Sequence, residues 1–272
     1  MRPVSTKTFY FQSDAHSLGG FVKHPSQKII PSQAHSLLPA VGGHVTTSTG
    51  SFNHDSIVSC RAAYTRVSGR EQQTDGPWSM VTTSVVEGLN ILEVLTAERI
   101  VAQVSIEYSK DGKYPRISFA GSRFDQLRVA GRDVAPVMNE KFMTLRGEAD
   151  EPLSHKHFQQ ASRDQGRKIV KSANAKKAGW VSDRFGWMDS DPKPGEDRCV
   201  LCSLVDGVDQ AVPGRSFGHV LEIPEFGRIF LGEFFISRGT VSLSMIRAEL
   251  GCNVEGNLNI SSLTTGGRTV PP

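Results

Sequence analysis

The sequence is short of long apolar runs. None approaches the roughly 18 residues of a membrane-spanning helix, so a helical transmembrane span is excluded. Cysteine is scarce: 4 in 272 residues are too few for a disulfide scaffold. A strong charge of one sign is also missing, and the net +3 by itself argues for no partner. Residues 1–7 carry no apolar stretch of the secretory kind. No G-x-S-x-G, H-E-x-x-H or phosphate loop is present. With 26 Gly and 14 Pro the chain is too poor in both for collagen and too evenly punctuated for a disordered tail. What is there is the composition of a soluble globular protein, 38% hydrophobic and 22% charged, long enough to bury a real core.

Strict alternation dominates the local pattern. Across Ile100–Tyr108 every even position is apolar, and every odd one after Val101 is polar or charged. That period of two marks a half-buried strand. Asp111-Gly112 follows, then Pro115–Phe119 resumes the alternation, so the segment reads as a β-hairpin. Val58, Cys60, Ala62 and Tyr64 alternate with Ser59, Arg61, Ala63 and Thr65, and a polar loop runs from Gly69 to Gly76-Pro77. Trp78–Val86 has the composition of a pleated surface, and Leu127–Val129 reads as a short strand. Ile229–Ile236 is apolar enough to be buried on both faces. The inward phase jumps from Val241, Leu243 and Met245 to Ile246, Ala248 and Leu250, which implies a bulge or a sheet corner. Leu258 and Ile260 close the series.

One segment breaks the pattern. From His155 to Arg184 eight Lys or Arg stand against two Asp, a local charge of +6. Phe158 with Ala161, and Ile169 with Ala173 and Lys177, permit a short amphipathic helix that Gly166 and Gly179 would weaken or end. It reads as an insertion, helical or irregular, at about 150–184. Residues 1–50, punctuated by Gly19-Gly20, Pro25, Pro31, Pro39 and Gly42-Gly43, read as an extended arm on a β-domain of residues 51–272.

Two stretches carry a resemblance. Val85–Leu92 followed by Leu95–Ala102, and Gly121–Gly131 with its G-S…L-x-V-x-G cadence, resemble the "choice-of-anchor P" family of bacterial surface proteins. The tail from Leu243 to Val254 is similar to that family's closing strands. The likeness covers roughly 85–131 and 229–263, and the basic insertion has no counterpart in it. It implies an extracellular or cell-surface, β-rich, non-catalytic module that needs no cofactor.

Several constellations can be weighed for chemistry. Cys199-Val200-Leu201-Cys202 is a lone CxxC, and on a strand residues three apart face opposite ways, which spoils zinc chelation or a redox pair. Buried thiols, or a disulfide between the strand-borne Cys60 and Cys252, remain open. His155 and His157 offer two imidazoles amid lysines that disfavour a cation. Trp180, Phe185 and Trp187 beside the basic run suit nucleic acid, though a solvated helix face or contact with an acidic neighbour explains the charge as well. Glu222 with Glu225, and Asp189 with Asp191, pair carboxylates as glycoside hydrolysis would need. Asn259-Ile260-Ser261 spells a glycosylation sequon.

The expectation is an all-β sandwich or jelly roll with a basic insertion, non-catalytic, assembling with copies of itself. The arm (Phe9, Phe11) and the basic segment (Lys168, Lys171, Lys176, Lys177) would carry the contacts. Removing residues 1–30 would then leave a folded monomer. The alternative is a monomeric glycan-binding or adhesin-like module that stacks sugars on Trp78, Trp180 or Trp187. Nucleic acid is the weaker partner.

Overall fold

The computed structural model describes residues 8–72, 77–108, 115–143, 155–189, 199–237, 240–251 and 253–270, without the side chains of 155–157. Two antiparallel sheets face each other across one main core. The nine-stranded sheet runs Arg215–Phe217, Val220–Ile223, Gly227–Ser237, Thr240–Gly251, Glu255–Val270, Thr8–His24, Lys28–Gln33, with Val200–Ser203 and Ser36–Leu37 as side members. The ten-stranded sheet is built on Gly43–Thr49, Ala62–Glu71, Trp78–Ile91 and Leu95–Tyr108, paired in succession. The fold is therefore an all-β sandwich that does not close into a barrel. Among the described residues no helix is long and apolar enough to cross a membrane.

Alternation placed much of the core. Ile100, Ala102, Val104 and Ile106 are buried, and Arg116–Ser118 pairs with Ser105–Glu107 as the hairpin requires. The Asp111-Gly112 turn lies outside the described residues. The Val58–Thr65 reading needs a correction, because the strand breaks at Arg61. Val58 and Cys60 face inward, but beyond the break Ala63, Thr65 and Val67 do. Thr65 enters the core because its hydroxyl donates to the Ala34 carbonyl at 2.7 Å.

The phase jump at Met245/Ile246 is real, and it is not confined to one strand. Inward parity switches at Gly232 in Gly227–Ser237, at Ser261 in Glu255–Val270 and at Ser17 in Thr8–His24. These positions adjoin across the sheet, since pairing skips from Leu231↔Ile246 to Glu233↔Ser244 and from Ile246↔Ile260 to Ser244↔Ser262. It skips likewise from His16↔Ser262 to Leu18↔Ile260. Gly232 (φ 62°) and Ser261 (φ 51°) take the left-handed conformation that turns the strands over along this line.

The sheets are tied together at the same line. Ser84 Oγ donates to the His16 carbonyl at 3.0 Å, Ser17 Oγ to the Tyr64 carbonyl at 3.1 Å, and Ser261 Oγ to the Ser84 carbonyl at 2.9 Å. A serine reaches the opposite backbone only where the sheets come closer than the usual ~10 Å.

From Thr8 on, the segment expected as an arm is built into the two sheets. Thr8–His24 lies inside the nine-stranded sheet, between Glu255–Val270 and Lys28–Gln33, and Gly43–Thr49 belongs to the other sheet. Gly20, read as punctuation, serves close strand approach: a Cβ there would sit 2.1 Å from the Asn257 carbonyl oxygen. The basic segment is a helix over His155–Ala175, followed by Gly179–Phe185, packed on the outside of the nine-stranded sheet. Gly166 does not end it, because Met188 packs where its Cβ would be, 2.7 Å away.

Deleting residues 1–30 is expected to abolish the cooperative thermal transition, because it removes a central strand carrying Phe9, Phe11, Leu18 and Val22. A truncated chain that melts like the full one would contradict this. Ser261→Ala should cost about 1–2 kcal/mol through the lost hydroxyl bonds. Ser261→Val should cost more, since a β-branched side chain must fit a left-handed backbone between closely spaced sheets. Urea denaturation of both variants measures the difference.

Candidate functional site

The outer face of the nine-stranded sheet collects the polar chemistry of the fold. The two helices cover part of it through a second apolar cluster, in which Ile169, Ala173, Val181 and Phe185 pack on Phe217, Val220 and Phe230. The long helix is fixed by polar bonds as well. Gln165 Oε1 accepts from Ser203 N at 2.7 Å, its Nε2 donates to the Ser203 and Val205 carbonyls, and Ser162 Oγ donates to the Leu201 carbonyl at 2.6 Å.

Beneath the helices runs a chain of charges. Glu233, its side chain only 10% exposed, accepts from Arg247 Nε at 3.0 Å and Nη2 at 2.6 Å, and faces His219 Nε2 at 3.3 Å. Arg247 Nη1 donates to Glu249 at 2.6 Å, and Arg184 of the short helix donates to the same oxygen at 2.8 Å. Arg228 lies 3.5 Å from the other Glu249 oxygen. The guanidinium faces stack on rings, Arg247 over Phe230 at 3.7 Å and Arg228 over Trp180 at 3.8 Å. Burial alone would raise the Glu233 carboxyl, but His219 and Arg247 outweigh it and hold the group below the ordinary glutamate range. Three guanidiniums thus bind two carboxylates, and Arg184 anchors the short helix to the sheet.

Next to this chain a groove of about 590 Å³ opens at the end of the sheet, lined by Lys23, Arg215, Glu222, Glu225, Arg228 and Glu249 among others. Its arginines are matched within the groove: Arg215 Nε donates to Glu222 at 2.6 Å, and Arg228 meets Glu249. Glu222 and Glu225 do line one wall. Glu222 is held by Arg215, while Glu225 sits exposed in a turn with φ 60°.

The other sequence candidates are scattered. Phe9 and Phe11 point into the core, Phe9 stacked 5.0 Å from Trp78, so the exposed side chain between them is Tyr10. Lys168, Lys171, Lys176 and Lys177 are exposed; Lys176 Nζ donates to the Ser216 carbonyl at 2.7 Å. Cys199 is exposed and Cys202 buried, its thiol pushed up to about 12 by burial, so the CxxC sulfurs diverge. Cys60 is buried with a free thiol, and Cys252 lies outside the described residues, as do Asp191 and the side chains of His155 and His157. Phe185 is buried and Trp180 is capped by Arg228, so neither ring is open to a base or a sugar. Asp189 pairs with Arg167. In the sequon, Asn259 stands mid-strand with Ser261 fully buried. The Glu233 cluster was missed. Its signal was a lone acid in an apolar run read as buried on both faces, a position that demands a cation.

Residues 9–237 match the model of a family described as a domain of unknown function (DUF8256), and the chain belongs to that family. The matched residues stop at Gly227–Ser237, although two further strands complete the sheet between it and Thr8–His24. No curated protein and no solved structure matches the chain.

Arg247→Met is expected to cost about 3–5 kcal/mol by stranding the buried Glu233 carboxylate. Adding Glu233→Gln should recover most of that loss. Because the Glu233 carboxyl is held below its ordinary value, its stabilising contribution is present above about pH 4.3 and fades as pH falls through the lowered value. Urea midpoints of the wild type and Glu233→Gln should therefore converge in acid. A gap between them that does not change with pH would refute the assignment.

Proposed function

We propose that this chain is a non-catalytic structural β-protein that works by assembling with copies of itself at an extracellular or cell surface. The observation that carries the reading is a strip of exposed apolar side chains along one flank. Val41 is 86% exposed, Leu37 61% and Tyr10 43%. Tyr10 lies on the first strand and the other two flank it, since Leu37 pairs opposite Asp14 and Phe11 N donates to the Ala40 carbonyl at 2.9 Å. Large apolar side chains grouped beside a strand edge are what a contact between proteins covers. The surface placement rests on the resemblance of 85–131 and 229–263.

The tryptophans give less support to the glycan-binding alternative. Trp78 is buried, Trp180 lies under Arg228, and Trp187 alone is widely exposed, whereas sugar stacking favours an open platform of rings. Charge supports assembly only weakly, since Arg184, Arg215 and Arg228 are matched within the chain.

Light scattering of the full chain over a concentration series should give a mass that rises above the 29.7 kDa of one chain, with regular particles in negative stain. Leu37→Ser with Val41→Ser should shift the rise to roughly tenfold higher concentration. A mass that stays at one chain throughout removes the reading.

A further inference from the structure

The ten-stranded sheet ends on Gly43–Thr49, which pairs, among the described residues, with Ala62–Glu71 alone. The pairing runs from Gly43↔Gly69 to Thr49↔Ala63 without a register shift, so no bulge turns this edge away. On its free side, alternate amides and carbonyls meet no strand. Sheet edges are ordinarily blunted by charge, proline, bulges or brevity. Among the described residues, most other edges here are. Lys28–Gln33 carries Lys28 and Pro31, Arg132–Asp133 is two charged residues, and Phe52–His54 and Arg215–Phe217 have three residues each. Gly43–Thr49, reading GHVTTST, has none of these devices.

We infer that Gly43–Thr49 joins two copies of the chain by pairing antiparallel with its own two-fold mate, which merges their ten-stranded sheets. The inference rests on the self-assembly reading above and names its interface. In the symmetric register Thr46 faces the mate's Thr46, Val45 faces Thr47, His44 faces Ser48 and Gly43 faces Thr49. Each facing pair thus contains at least one small or hydroxyl side chain, and no lysine, arginine or carboxylate opposes its like. Parity is kept: His44, Thr46 and Ser48 stay on the outer face of both copies, while Val45, Thr47 and Thr49 stay on the core side. Those three are only half-buried at the edge, and the mate would cover them.

Arg66, opposite Thr46 on the next strand, is the nearest repulsive group on the outer face. The two copies of it would stand three strand spacings apart, roughly 14 Å, beyond the ~8 Å screening length of physiological salt. A strand this plain offers no pocket for a foreign side chain. Its selectivity lies in register, and its own copy satisfies that register.

The test places a charge on the symmetry axis. Thr46 is exposed and outward, so Thr46→Lys and Thr46→Glu leave the core untouched, which far-UV circular dichroism checks. In sedimentation velocity over a concentration series, the wild-type full chain should dimerise. Each variant alone should dissociate about tenfold more readily, because like charges meet at the axis. An equimolar mixture should regain wild-type affinity through a Lys–Glu pair. If the wild type associates but both variants and their mixture do so equally well, this edge is not the interface and the self-assembly reading survives. A wild type that stays monomeric at every concentration overturns both.

Discussion

The close approach of the two sheets at Ser17, Ser84 and Ser261 is the constraint on which the rest of the fold depends. Each hydroxyl reaches a backbone carbonyl of the facing sheet, so no larger side chain fits between the sheets there. The chain meets this by turning its strands over along the same line. On one side Phe11, Ala15, Leu243 and Phe234 fill the core, and on the other Leu18, Ile246, Ile260 and Leu231 do. A regular strand could not serve both halves, because a single parity would leave half of its apolar residues in solvent.

The turnover also decides what the outer face carries. Arg247 and Glu249 share odd parity with the inward Val241, Leu243 and Met245, and Glu233 shares it with the inward Ile229 and Leu231. Without the switch at Gly232 and Met245, these charges would enter the apolar core, where no partner could repay their desolvation. With it they stand outside, stacked on Phe230 and matched by the helices that cover them. The basic segment therefore spends part of its charge within the chain, with Arg184 on Glu249 and Arg167 on Asp189. Lys168, Lys171 and Lys177 lie exposed on its outer surface.

Where a strand has one dry face and one wet one, the sequence was legible. Ile100–Tyr108 and the slip at Met245/Ile246 were read residue by residue, and the sandwich class followed from them. The first strand was not legible, because its buried side includes Ser13 and Ser17 and its interior includes Gly19 and Gly20. These residues imply a loop until the facing backbone is known. The hairpin between Trp78–Ile91 and Leu95–Tyr108 was hidden differently. Its turn puts Leu92 (φ 52°) and Glu93 (φ 58°) in the left-handed region, with Asn90 Oδ1 accepting from Glu93 N at 2.8 Å instead of a glycine marking the bend. The Glu233 cluster draws Arg184, His219, Arg228 and Arg247 from separate elements, and no spacing in one stretch of sequence encodes such a meeting.

Strand edges left without a partner are where contacts between molecules can form. Thr8–His24 pairs with Glu255–Val270, so the sheet joins segments more than 200 residues apart in sequence. Glu255–Val270, the long neighbour of the first strand, is paired on its other side by Thr240–Gly251, and the short Lys28–Gln33 on the first strand's other side is guarded by Lys28 and Pro31. The ten-stranded sheet differs. Its small strands Arg116–Ser118, Arg123–Asp125 and Arg128–Val129 divide one side of Leu95–Tyr108 into pieces too short to template a partner. On the opposite side Gly43–Thr49 runs its whole length unguarded, next to the exposed Leu37 and Val41. Among the described residues Gly43–Thr49 thus lacks the charge, proline, bulge or brevity that blunts the strands named above, and the proposed pairing is placed there for that reason.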